Sequence, residues 1–181
     1  MLPVLVLISG APGSGKTTLG RRLADELRVP HLNKDLIADA IRRTRGLEQA
    51  VTSDAFQVFY DVARSMLSAQ ASLVLDQTMY LGVSDQPEGE RQLVPLARSV
   101  HIHCDAGNAT ERWRAKIDVH PLIAPAERAA LVARIDEIQP LVSEPVDLGC
   151  PLIRVRTDDG YAPDVSELLV EIGRLTSTRL R

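Results

Sequence analysis

Aromatic residues are scarce in this sequence: two phenylalanines, three tyrosines and one tryptophan in 181 residues. So few rings leave little from which to build a platform for stacking nucleic-acid bases. Charge adds nothing to that reading, because 21 basic and 24 acidic side chains leave a net charge of −3 and no global pull towards a polyanion. Cysteine is rarer still. Cys104 and Cys150 show neither metal-ligand spacing nor a disulfide framework, and read as reduced thiols. No apolar run is long enough to cross a bilayer. The apolar stretch near the N-terminus has no basic residues in front of it, so no signal peptide is read there and a cytoplasmic location is expected. Internal repeats, low-complexity tracts and linkers are also missing, and residues 1–181 are expected to form one domain.

Against these absences stands one dense motif, Gly10-Ala11-Pro12-Gly13-Ser14-Gly15-Lys16-Thr17. It satisfies G-x-x-x-x-G-K-[ST] at every fixed position. Val4 to Ile8, directly before it, is an unbroken apolar run that reads as a buried parallel strand. Leu19, Leu23 and Leu27 follow at helical spacing. The glycines let backbone N–H groups curl around an anion, and the helix that follows adds its unpaired N–H groups and positive dipole end. Lys16 supplies a point charge for the β- and γ-phosphates, the Thr17 hydroxyl is a Mg²⁺ ligand, and Thr18 extends the nucleotide-binding set.

Four further short strands are expected, at Val29–Asn33, Ser72–Asp76, Ser99–Cys104 and Leu152–Val155. Helical patterns separate them: Leu36 to Ile41, Ser53 to Gln70, a weaker one interrupted by Gly89 and Pro95, Asn108 to Ile117, a stretch from Pro125 to Pro140, and Asp164 to Leu175. The loop after the third strand runs from Gln77 to Asp85. Strands alternating with helices predict an α/β three-layer sandwich around a five-stranded parallel sheet. His101 and His103 share one face of a strand; lacking a third ligand, they are expected to pack rather than bind metal.

Ligands in such folds bind beyond the carboxyl ends of the strands, where Asn33 to Asp35 and Asp76 to Thr78 lie. Asp35 is placed to accept the proton of an acceptor hydroxyl, and is equally placed to cap a helix. Asp76, ending an apolar strand, is either a Mg²⁺-holding carboxylate or a turn residue. Gln77 stands after it where ATP-hydrolysing machines place Glu, which counts against a motor. Arg112 and Lys116 are four apart on one helical face, with Arg114 turned away. They are either lid cations that act on the phosphates, or solvated groups in pairs such as Glu111 with Arg114 and Arg112 with Asp118.

Together these residues resemble the small P-loop kinases related to gluconate kinase, chloramphenicol phosphotransferase, zeta-toxin kinases and phage polynucleotide kinase, an AAA_33-type group. Gly10 to Thr17 carries the resemblance, with Asn33-Lys34-Asp35 similar to their N-x-D and Asp76-Gln77-Thr78 to their D-x-T. Glu111 to Lys116 is similar to their lid helix, and Arg156-Thr157-Asp158 to their adenine-contacting loop. The resemblance implies strand order 2-3-1-4-5, a helical lid near residues 112–128, and ATP and Mg²⁺ as cofactors. It implies catalytic roles for Lys16, Asp35, Arg112 and Lys116, and nucleotide contacts from Arg112, Arg114 and Thr157. The metal would be held by Thr17 and Asp76. The sequence departs from polynucleotide kinases at Ala38, where they carry Arg, and from the wider pattern at Lys116 and Arg156. The expected reaction is γ-phosphate transfer to a small-molecule hydroxyl. The alternatives are a 5′-hydroxyl polynucleotide kinase or a non-catalytic ATP-dependent regulator.

Overall fold

The computed structural model describes residues 2–45, 52–80 and 88–177. Five strands run β1 (Val4–Gly10), β2 (His31–Asn33), β3 (Leu73–Asp76), β4 (Arg98–Asp105) and β5 (Leu152–Arg156). They form one parallel sheet in the order β2-β3-β1-β4-β5, the order the resemblance implies. Register places Asn33 beside Asp76 and Asp76 beside Ile8. The polar ends of three strands therefore meet at one edge.

The eight helices among the described residues are α1 (Lys16–Leu27), α2 (Lys34–Arg45), α3 (Thr52–Ser68), α4 (Glu88–Leu93), α5 (Ala109–Asp118), α6 (Pro125–Ala133), α7 (Ile135–Val142) and α8 (Val165–Ser177). Period-2 alternation sends successive strand side chains to opposite faces. Val6, Ile8, Val100 and Ile102 pack under α1 and α8 through Leu19, Leu23, Leu168 and Ile172. On the other face, Leu5, Leu7, Leu73 and Leu75 meet Phe59, Ala63 and Leu67 of α3. Full burial of one such leucine or phenylalanine contributes roughly 1.5–3 kcal/mol. A third cluster joins Ala11 of the glycine loop to Trp113, Ile117, Ile135 and Val142, and so seats α5 and α7 against the loop.

Two local expectations change. The stretch from Pro125 is two helices rather than one, because Arg134 (φ −105°, ψ 4°) leaves helical geometry between them. Pro140 lies inside α7 instead of ending it; this late in a short helix the missing N–H removes only one bond. Gly89 sits inside α4, where a Cβ would stand 2.3 Å from the Tyr60 ring. The loop expected after β3 is described as far as Tyr80, and its remainder to Asp85 lies outside the described residues.

Candidate active site

The glycine loop is held by backbone geometry and by close neighbours. Gly13 (φ 87°) and Gly15 (φ 81°) occupy the left-handed region that glycine tolerates. A Cβ on Gly13 would lie 2.1 Å from the Ala109 carbonyl oxygen, so α5 starts directly against the loop. The Thr157 hydroxyl clamps it from the other side, donating to the Ser14 carbonyl at 2.5 Å and lying 3.1 Å from that of Asp105. Thr157, expected beside adenine, is thus a buried brace of the loop. Ser14 Oγ is buried without a partner among the described residues.

Lys16 opens α1 and is buried, its Nζ 3.3 Å from the Ala11 carbonyl. Burial pushes its pKa below the ordinary lysine value, partly countered by Asp76 and Asp35. Beneath it, Asn33 Nδ2 donates to Asp76 Oδ2 at 2.5 Å and reaches Thr17 Oγ1 at 3.4 Å. Asn33 Oδ1 accepts from the Leu36 N–H at 2.9 Å and so fastens the start of α2. His31 Nε2 stands 3.5 Å from Asp76 Oδ2. Asp76 Oδ1 is left fully buried with no partner among the described residues, a costly state for a carboxylate oxygen. A carboxylate oxygen left unpaired among the described residues, joined through Asn33 to a threonine hydroxyl, is a donor set that suits a hard divalent cation.

Asp35 lies in the first turn of α2, and its carboxylate meets Lys34 Nζ at 2.6 Å. The surrounding protein pushes its pKa up, but Lys34, with Lys16 and Lys116 beyond it, outweighs that effect and holds it at about 2. Lys116 also acts on Lys16. Lys116 of α5 is therefore within electrostatic reach of both Lys16 and Asp35.

The other two basic residues of α5 go elsewhere. Arg112 donates to the carbonyls of Thr157 at 3.2 Å and Asp158 at 3.1 Å. Arg114 is paired with Asp136 at 3.3 Å on the surface. Gly10, Ala11, Pro12, Gly13, Ser14, Gly15, Lys16, Thr17 and Thr18 follow in the same loop and first turn, and Asp35, Asp76 and Lys116 are brought to it. Arg114 is not.

Several residues at this edge carry no motif. Tyr80, whose pKa burial raises, also lies within electrostatic reach of Asp35 and Arg134. Gln77 Nε2 donates to the Tyr60 hydroxyl at 3.1 Å, which donates to Glu90 Oε1 at 2.7 Å. Of the aromatic residues on α3, Phe59 is core, while Phe56 and Tyr60 are half-buried and stacked at 6.0 Å. The histidine pair packs as expected: Ser9 Oγ lies 2.6 Å from His101 Nε2 and 2.8 Å from His103 Nδ1. His103 Nε2 donates to the Ser143 carbonyl at 3.0 Å, which fixes the direction of the chain. Among the described residues no cluster of three or more metal-ligating side chains occurs, and no helix is long and apolar enough to cross a membrane.

Comparison with known proteins agrees with this geometry. The AAA_33 family model, described as an AAA domain, matches residues 5–134. The chain belongs to this family. Its relatives make this AAA_33 member a small P-loop kinase. It is 32% identical over 133 residues to a shikimate kinase of Mycobacterium tuberculosis (strain ATCC 25177 / H37Ra), covering 71% of this chain and 72% of that one. An adenylate kinase of Chlamydia trachomatis serovar D is 40% identical over 52 residues; the chain spans only 21% of that protein's length, and 28% of this chain is matched. A putative kinase from Chloroflexus aurantiacus shares the fold at a TM-score of 0.75 and 23% identity, with 99% of this chain and 100% of that one covered.

Proposed function

We propose that this protein transfers the γ-phosphate of ATP to a hydroxyl of a small molecule in a Mg²⁺-dependent reaction. One observation carries the reading. Lys16 and Lys116, cations suited to phosphate, act on the same space as Asp35, a carboxylate suited to a hydroxyl. A switch or motor needs the cations but has no use for an acceptor-side carboxylate there.

Phosphoryl transfer passes through a loose transition state, so the protein's contribution is positioning and electrostatic stabilisation. The loop amides and Lys16 hold the β- and γ-phosphates. Lys116 approaches the transferring group from α5. Arg112 ties α5 to the 157–158 loop, so closure of a lid near 112–128 and organisation of the nucleotide loop are one event. Thr17 and Asp76 would hold Mg²⁺, which would supply neutralisation of the phosphate charge during transfer. Asp35, with a pKa of about 2, is a weak base. It acts first as the hydrogen-bond acceptor that aligns the hydroxyl oxygen, and takes the proton as the oxygen–phosphorus bond forms.

A small acceptor is favoured over a nucleic acid by Ala38. Where polynucleotide kinases carry an arginine, this side chain is buried at 4% exposure and packed on Ala55. No cation stands there to meet a nucleotide phosphate. The test is a screen of ATP consumption over hydroxylated small molecules and a 5′-hydroxyl oligonucleotide. Acceptor-stimulated turnover with a small molecule supports the reading; turnover stimulated only by the oligonucleotide overturns it.

A further inference from the structure

We infer that the cavity between β4 and residues 145–152 is a second binding site, which takes a small uncharged aromatic molecule bearing one O–H or N–H donor, of the phenol or indole class.

The cavity has a volume of about 180 Å³, and its walls include His101, Val146, Leu148, Cys150 and Leu152. An apolar cavity of about 150 Å³ holds a benzene ring, so one substituted ring fits here. Val146 and Leu148 are buried and give it apolar sides. Cys150 adds a half-buried thiol. Burial, with Asp147 adding to it, pushes that thiol up to about 11, so it lines the wall uncharged.

The polar contact comes from His101. Register sets it between Leu7 of β1 and Leu152 of β5. Its Nε2 lies 2.6 Å from Ser9 Oγ, on the β1 side. The two nitrogens of an imidazole point away from each other, so Nδ1 is turned towards β5, where the cavity lies. Its protonation follows from the far end of the chain of bonds. His103 Nε2 donates to the Ser143 carbonyl, so His103 Nδ1 accepts from Ser9 at 2.8 Å, and Ser9 in turn accepts from His101 Nε2. A neutral His101 then carries its lone pair on Nδ1. Burial keeps it neutral, with a pKa of about 4. Nδ1 has no hydrogen-bond partner among the described residues, although His101 is only 1% exposed. The cavity therefore presents a fixed acceptor, and what fills it must donate.

Charge finds no support there. The Asp147 carboxylate accepts from the Gly149 N–H at 2.9 Å, and Arg91 spends its guanidinium on the Asp147 carbonyl at 3.0 and 3.1 Å. Among the described residues no cation lines the cavity. An anion would lose its hydration with nothing to offset the loss. A cation would find only a carboxylate already engaged at an exposed turn.

Phenol, fluorobenzene and benzoate are titrated into the full chain by calorimetry, with nitrogen NMR of the His101 ring in parallel. Fluorobenzene is close to phenol in size but has no donor. Phenol is expected to bind at least about threefold more tightly than fluorobenzene, and benzoate not at all. The Nδ1 resonance should move towards that of a protonated nitrogen as phenol binds. Cys150→Phe, which sets a ring into the cavity from its own wall, should abolish phenol binding in a protein that melting curves show to be folded. Should the variant not fold, the Nδ1 resonance of the unaltered protein decides. Equal affinity for phenol and fluorobenzene overturns the assignment, as does phenol binding that leaves Nδ1 unmoved or survives Cys150→Phe. Absence of phenol binding also overturns it, and leaves water as the donor to Nδ1.

Discussion

Lys34 Nζ lies 2.6 Å from the Asp35 carboxylate, so the residue proposed to align the acceptor is held in its charged form by its own neighbour in the chain. Because the folded pKa of Asp35 is depressed from 3.8 to about 2, the charged form is retained above that value and lost only as pH falls through it. Lys34→Met raises the pKa towards 3.8. The acid limb of kcat/KM is expected to move up in pH accordingly, in a pH–rate profile of the two proteins. An unmoved limb would mean that Lys34 does not act on the working form of Asp35. The Asp35 side chain is 56% exposed, so the pair adds little to stability.

The three basic residues of α5 separate by role. Lys116→Ala is expected to lower kcat by about 10²-fold, since its charge is proposed to act on the transferring group. Arg112→Ala frees the carbonyls of Thr157 and Asp158 and is expected chiefly to raise KM for ATP. Arg114→Ala breaks only a surface pair with Asp136 and should change stability by less than about 1 kcal/mol, with turnover unaltered. Steady-state kinetics on the three variants checks the order, and a turnover loss at Arg114 equal to that at Lys116 contradicts it.

Thr157→Val removes the bond that braces the glycine loop at the Ser14 carbonyl. The isosteric change leaves a buried carbonyl without its donor, at a cost of about 1–3 kcal/mol. A lower melting temperature and weaker ATP binding are both expected. Tight ATP binding in the variant would show that the brace is dispensable.

His101 is expected to contribute an acid limb to stability. Burial, with His103 adding to it, lowers its pKa from 6.5 to about 4, so the unfolded chain binds the proton more readily. The stabilisation is complete above pH 6.5 and declines as pH falls towards 4, by on the order of 3 kcal/mol. Glu90, raised from 4.5 to about 6, acts in the opposite sense and loses stabilisation as pH rises through that interval. Denaturant titrations across this range should therefore show a steeper acid decline in Glu90→Gln and a flatter one in His101→Gln.

Much of this was legible in the sequence because it is written in short-range spacing. Gly10 to Thr17 needs only its own order, and the apolar strands state their burial outright. Strand order came instead from the resemblance, and the register that sets Asn33 beside Asp76 appears only in the folded sheet. Helical spacing placed Arg112 and Lys116 on one face, yet could not tell which of two long side chains would be spent on the carbonyls of residues 157 and 158. Tyr60, Gln77 and Glu90 are far apart in the chain and carry no motif. Their meeting depends on how α3 and α4 close over the end of β3, which no local pattern encodes. The break at Arg134 carries no sequence signal, because two helices joined by one non-helical residue have the pattern of a single helix.

The central claim is that Asp35 faces the acceptor and not the nucleotide. Asp35→Asn keeps the side chain's shape and its place in the first turn of α2 while removing the charge. With an accepted hydroxyl substrate, single-turnover transfer from γ-labelled ATP is expected to fall by about 10²–10⁴-fold, while calorimetric ATP affinity stays at the wild-type value. Transfer at the wild-type rate, or a loss explained wholly by weaker ATP binding, would contradict the account.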